Sequence, residues 1–289
     1  MNAQSNRSIA SSAMLVELSI GTWTARKLDK KVTAEVNIDK RADGDAARVN
    51  KNLLTGVDQL AAITKYAAAV RNWMYEQTLP WSDFGARLIP TAKFFEFKRE
   101  LDDRQAVFYQ MVEDFLTVYP TLISTQAFKL GSMFDRDEYP DADELRYKFK
   151  FRASFMPVPE AGDFRVDIGN EAMAELQQQY EEDFSSRLEA AMGDVSKRLI
   201  EGLAHVSDRL TDKDDGSRKM FQRTLIERLA ETVANVRALN VTKNEAVERM
   251  ASMTEKAIAH VDVDFIKEND TARNKLREEV DSILGAFDF

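Results

Sequence analysis

GNEAMAELQQQYEEDFSSRLEAAMGDVSKRLIEGLAHVSDRL, residues 169–210, decides how this chain folds. Apolar residues recur in it at Met173, Leu176, Tyr180, Phe184, Leu188, Met192, Val195, Leu199, Leu203, Val206 and Leu210, ten steps over 37 residues. A step of 3.7 is a helical period with one narrow stripe. No proline interrupts it, and its internal glycines are Gly193 and Gly202. As one helix it spans roughly 60 Å at about 1.5 Å per residue. Such a rod must lay its stripe against other helices.

The residues beyond Leu210 supply them. Asp212, Asp214, Asp215 and Gly216 make a turn. Phe221, Leu225, Leu229, Val233 and Val236 then mark an antiparallel partner helix. Thr242-Lys-Asn-Glu245 reads as a capping box opening a third helix through Val247, Met250, Met253, Ala257 and Val261, and a last helix runs from about Thr271 to Ala286. Residues 169–289 are expected to be a long helical hairpin or coiled-coil-like bundle, able to self-associate through its stripe into an oligomer.

Upstream, the pattern is mixed. Residues 1–13 are polar and expected to be a disordered tail. Val16, Leu18 and Ile20 alternate with Glu17 and Ser19, a strand over Met14–Thr24 with one buried face. Leu28, Val32 and Val36 suit a short helix, Asp39–Asp45 a turn, and the row Val49 to Met74 a helix from about Ala46 to Gln77, either continuous or broken at Gly56. The segment from Thr78 to Pro90, TLPWSDFGARLIP, packs two prolines, a glycine and two aromatics into thirteen residues. It reads as a structured loop, with Trp81 and Phe84 pinning it. Helices over Phe94–Tyr119 and Pro120–Met133 come next, divided at the proline. After an acidic loop over Asp135–Glu144, Tyr147, Phe149, Phe151, Ala153 and Phe155 alternate with Lys148, Lys150, Arg152 and Ser154, the clearest strand in the chain. Phe164, Val166 and Ile168 mark a third, over Asp163–Ile168. Residues 14–168 are thus expected to form an α+β domain, mainly helical, with a small antiparallel three-stranded sheet packed on helices. The helical domain then occupies 169–289.

Composition narrows the chemistry. The chain has 289 residues, no cysteine and two histidines. There is no thiol nucleophile, no disulfide and no Cys-ligated metal. No apolar run approaches a membrane span, and Met1 to Ser12 lack the apolar core of a signal peptide, so a cytoplasmic location is expected. The net charge of −9 is uneven: residues 1–168 hold 23 Lys and Arg against 24 Asp and Glu, residues 169–289 hold 17 against 25. An acidic half suits solubility or a basic protein partner better than a phosphate backbone.

His205 and His260 lie on helices without a second histidine at metal-binding spacing, and neither the P-loop nor the Gly-x-Gly-x-x-Gly pattern occurs. Asp135, Asp137, Glu138, Asp141, Asp143 and Glu144 would have to chelate an ion to make a metal-dependent hydrolase; a solvated acidic loop is the plainer reading. No catalytic, cofactor-binding or metal residue is assigned. Arg146, Lys148, Lys150 and Arg152 share one side of the clearest strand and form the candidate nucleic-acid surface, or else a charge-guarded strand edge. Trp81, Phe84 and Arg87 form the candidate interaction loop.

Three stretches together, Thr78 to Pro90, Tyr139-Pro140 with Glu144 to Phe149, and Phe155 to Pro159 with Asp163 to Asp167, resemble an uncharacterised family of bacteriophage proteins, a domain of unknown function. The resemblance covers about residues 14–240. It implies no catalytic residues, and it implies a neighbour: relatives encoded near MoxR-type ring ATPases. The expectation is a non-enzymatic interaction, assembly or adaptor protein in the host-cell cytoplasm, partnered by such an ATPase. The alternative is a nucleic-acid-binding accessory factor in phage replication or recombination.

Overall fold

The computed structural model describes residues 9, 11–83, 85–159, 170–213 and 215–287. The described chain is α+β and mainly helical with a small sheet. Its strands are β1 (Ala13–Gly21), β2 (Arg26–Leu28), β3 (Asn50–Asn52), β4 (Leu79–Pro80), β5 (Arg87–Pro90) and β6 (Lys150–Pro157). Its helices are α1 (Lys30–Asp39), α2 (Asp58–Gln77), α3 (Phe94–Leu130), α4 (Ala142–Arg146), α5 (Asn170–Leu210), α6 (Arg223–Leu239), α7 (Glu245–Ile258), α8 (Val263–Glu268) and α9 (Asp270–Ala286). The main sheet has four strands in the order β4-β5-β1-β6, not three, and β2 pairs with β3 separately.

Two of the four strands come from the proline-rich stretch expected to be a loop. β5 runs antiparallel to β1, with Ala13 opposite Pro90 and Val16 opposite Arg87, and β4 runs antiparallel to β5. Pro80 is tolerated because β4 is the sheet edge, where no neighbour needs its missing N–H. Gly85 closes the connection at φ +101°, a left-handed conformation in which a side chain is strained. The expected strand Asp163–Ile168, the domain boundary at 168 and 169 and most of the expected tail lie outside the described residues. Within 1–13, Ile9 is buried and Ala13 already belongs to β1.

The chain forms two compact units interleaved in sequence. One comprises Leu18–Asn72 and Lys98–Ala153. Here Leu60, Ile63, Ala67 and Val70 of α2 are buried, as are Leu101, Phe108, Val112, Phe115 and Tyr119 of α3. Phe149 and Phe151 meet Phe115 and Phe108 at ring-centroid distances of 6.0 and 5.7 Å, so the alternating phenylalanines are core. Three expectations change in this unit. The helix expected from Ala46 begins at Asp58, because Asn50–Asn52 is drawn into the β2–β3 pair. Pro120 does not divide α3: it sits at an exposed position while Phe115, Tyr119 and Ile123 keep the buried row continuous, and packing outweighs the lost backbone bond. The third concerns the strand expected from Tyr147. The residues before it turn as α4, β6 starts only at Lys150, and Tyr147 is 76% exposed.

The other unit comprises Met1–Glu17, Trp73–Phe97 and Ser154–Phe289. Its axis is α5, which starts and stops where the stripe does. Phe184, Leu188, Val195, Leu199, Leu203, Val206 and Leu210 are all buried, whereas Met173 and Leu176 at its start are half-buried. α6 and α9 pack along α5, α7 packs on α6, and β4 lies against α5, so the hairpin is closed into a bundle. Gly202 permits the α5–α6 approach: a Cβ there would stand 3.0 Å from Leu229 Cδ1. α7 is capped by Asn244, whose side chain accepts from Ala246 and Val247, rather than by the expected Thr242 box.

Candidate functional site

The expected interaction loop is built into this second unit through its arginine. α2 ends at Gln77 with carbonyls that have no partner further along the helix. Arg87 reaches them from β5: its Nε donates to Thr78 Oγ1 at 2.6 Å and its Nη2 to Thr78 O at 3.1 Å. Thr78 Oγ1 in turn donates to Met74 O at 2.6 Å, and it is fully buried. The Arg87 guanidinium also lies 4.8 Å over the Tyr75 ring. A second arginine arrives from α5. Arg198 donates to the carbonyls of Glu76 (2.8 Å), Tyr75 (2.9 Å) and Thr78 (2.7 Å) and pairs with Asp194 at 2.7 Å. Two cations at the negative end of one helix are a favourable placement. Burial, and then the Arg198 charge beside it, push the Arg87 guanidinium below its usual pKa; Asp194 and Tyr75 offset part of this.

Trp81 is buried edge-to-face on Phe184 at 5.2 Å, which pins β4 to α5 as the loop reading expected and withdraws its ring from any partner. Phe84 lies outside the described residues.

Beside the two arginines opens a cleft of about 1020 Å³. Tyr75, Glu76 and Arg87 form one side, Asp194, Arg198 and Glu201 of α5 another, and Arg228, Glu231 and Asn235 of α6 the third. Tyr75 is 52% exposed there. The lining offers donors and acceptors of both charges around one aromatic face. Arg198, Asp194, Glu201 and Glu231 carry no motif. The one signal available was position, since Arg198 directly precedes the stripe residue Leu199 and so flanks the seam.

The candidate nucleic-acid residues do not form one strand face. Arg146 closes α4 and pairs with Glu113 of α3; Lys148 lies in the following turn and pairs with Glu144 at 3.5 Å. Lys150 and Arg152 alone share β6, exposed, on an edge strand. The edge is further occupied by α3, for Tyr109 Oη accepts from Phe151 N at 3.1 Å and Gln105 donates to Phe151 O at 3.0 Å.

The acidic stretch is used structurally. Asp135 accepts from Asp137 N, and Arg136 lies 3.8 Å from Asp141. Glu138 takes up the buried Lys51 at 2.6 Å, which also donates to Met133 O (2.8 Å) and lies 3.5 Å from Asp29. Burial opposes the Lys51 charge, but Glu138 and Asp29 outweigh it and raise its pKa, so this lysine is held as an ammonium rather than released as an amine nucleophile. Among the described residues no group of three or more His, Asp or Glu is arranged to hold a metal ion, and no helix is long and apolar enough to cross a membrane. His205 and His260 are both exposed.

Nothing matches this chain among the protein-family models, the curated proteins or the solved structures with which it was compared.

Proposed function

We propose that this chain is a non-enzymatic, phage-encoded interaction or assembly protein of the host cytoplasm, and that its partner is a ring ATPase of the MoxR type. One observation supports the reading above others: an open cleft of about 1020 Å³ whose arginines Arg87 and Arg198 are committed to helix-end carbonyls, so that its rim presents mixed charge and a tyrosine face to a polypeptide. The phage origin and the kind of partner rest on the resemblance carried by the Thr78–Pro90, Tyr139–Phe149 and Phe155–Asp167 stretches. The test is co-elution of the purified chain with the ATPase by size exclusion. Glu201→Lys with Glu231→Lys, both exposed cleft residues, is expected to abolish co-elution while leaving the unfolding midpoint in place. Co-elution unchanged by the double reversal would remove the cleft from the interface, and no co-elution of the native chain would remove the partner.

The second reading, a nucleic-acid accessory factor, is favoured by Lys150 and Arg152 side by side on β6. It requires binding that weakens steeply with salt and is lost on Lys150→Glu with Arg152→Glu.

A further inference from the structure

A second cavity, of about 310 Å³, lies further along the α5–α6 groove, past Gly202. Its polar lining is His205 and Arg209 of α5, Arg228 and Thr224 of α6, and Gln222 at the α6 N-cap. We propose that this pocket binds a small phosphate-bearing anion.

Charge is the first reason. Residues 169–289 carry 17 Lys and Arg against 25 Asp and Glu, yet the described residues lining this pocket include two arginines and a histidine and no carboxylate. The arrangement is also one the helices impose rather than a chance cluster. His205 and Arg209 stand four apart on one face of α5, and Thr224, Arg228 and Thr232 stand four apart on the facing side of α6. The nearest acid along α5, Asp208, is drawn off by Lys219 at 2.6 Å, which with the surrounding cations holds its pKa below the usual carboxylate range.

The helix end adds to this. α6 is 17 residues long, and its first turn faces the pocket through Gln222, Thr224 and Leu225. The Gln222 side chain does not cap that turn; it donates to Met220 Sδ at 3.0 Å. The positive end of the helix dipole is therefore added to three basic side chains. Guanidinium forks match the tetrahedral oxygens of phosphate, the hydroxyl of Thr224 supplies a neutral donor, and Leu225, Leu229 and Met220 offer apolar surface to the body of a phosphate ester. The volume suits a small molecule. The neighbouring cleft, which brings Glu201 and Glu231, would repel the same anion, so the ligand is placed at the His205–Arg209 end.

Isothermal titration calorimetry of the full chain with inorganic phosphate and with pyrophosphate, at low ionic strength, tests this. Saturable binding is expected, tighter for pyrophosphate. Arg209→Gln and Arg228→Gln should each weaken it by about tenfold or more, while Lys65→Gln, at an exposed position of α2 in the other unit, leaves it unchanged. The melting temperature of each unliganded variant checks that the fold survives, and Arg228, being exposed, is the safer substitution. Absence of saturable heat with both probes at millimolar concentration overturns the proposal, as does binding that neither arginine variant moves. A parallel arm with phosphatidate-containing vesicles separates the sources: binding to vesicles with none to the soluble probes assigns the phosphate to a lipid headgroup and overturns a small soluble ligand.

Discussion

Arg273 Nε donates to the Leu210 carbonyl at 2.9 Å, from α9 to the last residue of α5. Its Nη2 donates to Arg209 O at 2.7 Å, Asp212 lies 3.8 Å away, and the side chain is only 3% exposed. Burial pushes its pKa down and Asp212 works against that. The long helix thus ends on a buried arginine, as α2 ends on Arg87 and Arg198. Arg273→Leu is expected to lower stability by about 2–3 kcal/mol, because hydrogen bonds to a charged donor are lost and two carbonyls are left without it. Urea unfolding followed by circular dichroism measures this.

The two internal glycines of α5 should respond oppositely. A Cβ at Gly193 meets nothing within 4 Å, so Gly193→Ala is expected to stabilise by about 0.5–1 kcal/mol through helix propensity. At Gly202 an added Cβ would stand 3.0 Å from Leu229 Cδ1, and the larger Gly202→Val should cost about 1–3 kcal/mol as α6 is pushed away. Paired unfolding midpoints check the contrast.

Tyr119 and Tyr139 should make the chain sensitive to alkali. Burial raises both phenols from 10.0 to about 12. Tyr119 donates to Pro140 O at 3.0 Å and Tyr139 to Leu53 O at 2.7 Å. The neutral phenols are favoured in the folded state, so their contribution is fully present below pH 10 and is lost as pH rises toward 12. Ultraviolet titration should show two tyrosines ionising late, together with unfolding. Tyr119→Phe and Tyr139→Phe should each remove one late step and cost about 1 kcal/mol at neutral pH.

Periodicity made the helical half legible. The stripe from Phe184 to Leu210 and the row from Leu229 to Val236 place most of the buried residues described in α5 and α6, though not Ala191, Ser196 or Leu239. It failed where a local signal was outvoted by packing across the chain. Pro120 is a helix breaker on local grounds, but the buried row around it is not local. Asn50–Asn52 has no strand pattern and becomes one by pairing with Arg26–Leu28. In TLPWSDFGARLIP the prolines concealed a hairpin, since their tolerance depends on β4 being an edge. The alternation from Tyr147 to Phe155 marks Phe149 and Phe151 as core, but the strand begins only at Lys150 and α4 takes Arg146 out of the face. The cleft was illegible because Tyr75, Arg87, Arg198 and Glu231 lie far apart in sequence and carry no common spacing.

The most direct test of the proposed function is an affinity pull-down of the tagged chain from phage-infected cells, with and without nuclease, read by mass spectrometry and repeated with the Glu201→Lys, Glu231→Lys variant. A ring ATPase recovered equally in both arms and lost with the variant is the expected result. Partners that disappear on nuclease treatment, with no ATPase remaining, would contradict it and move Lys150 and Arg152 to the centre.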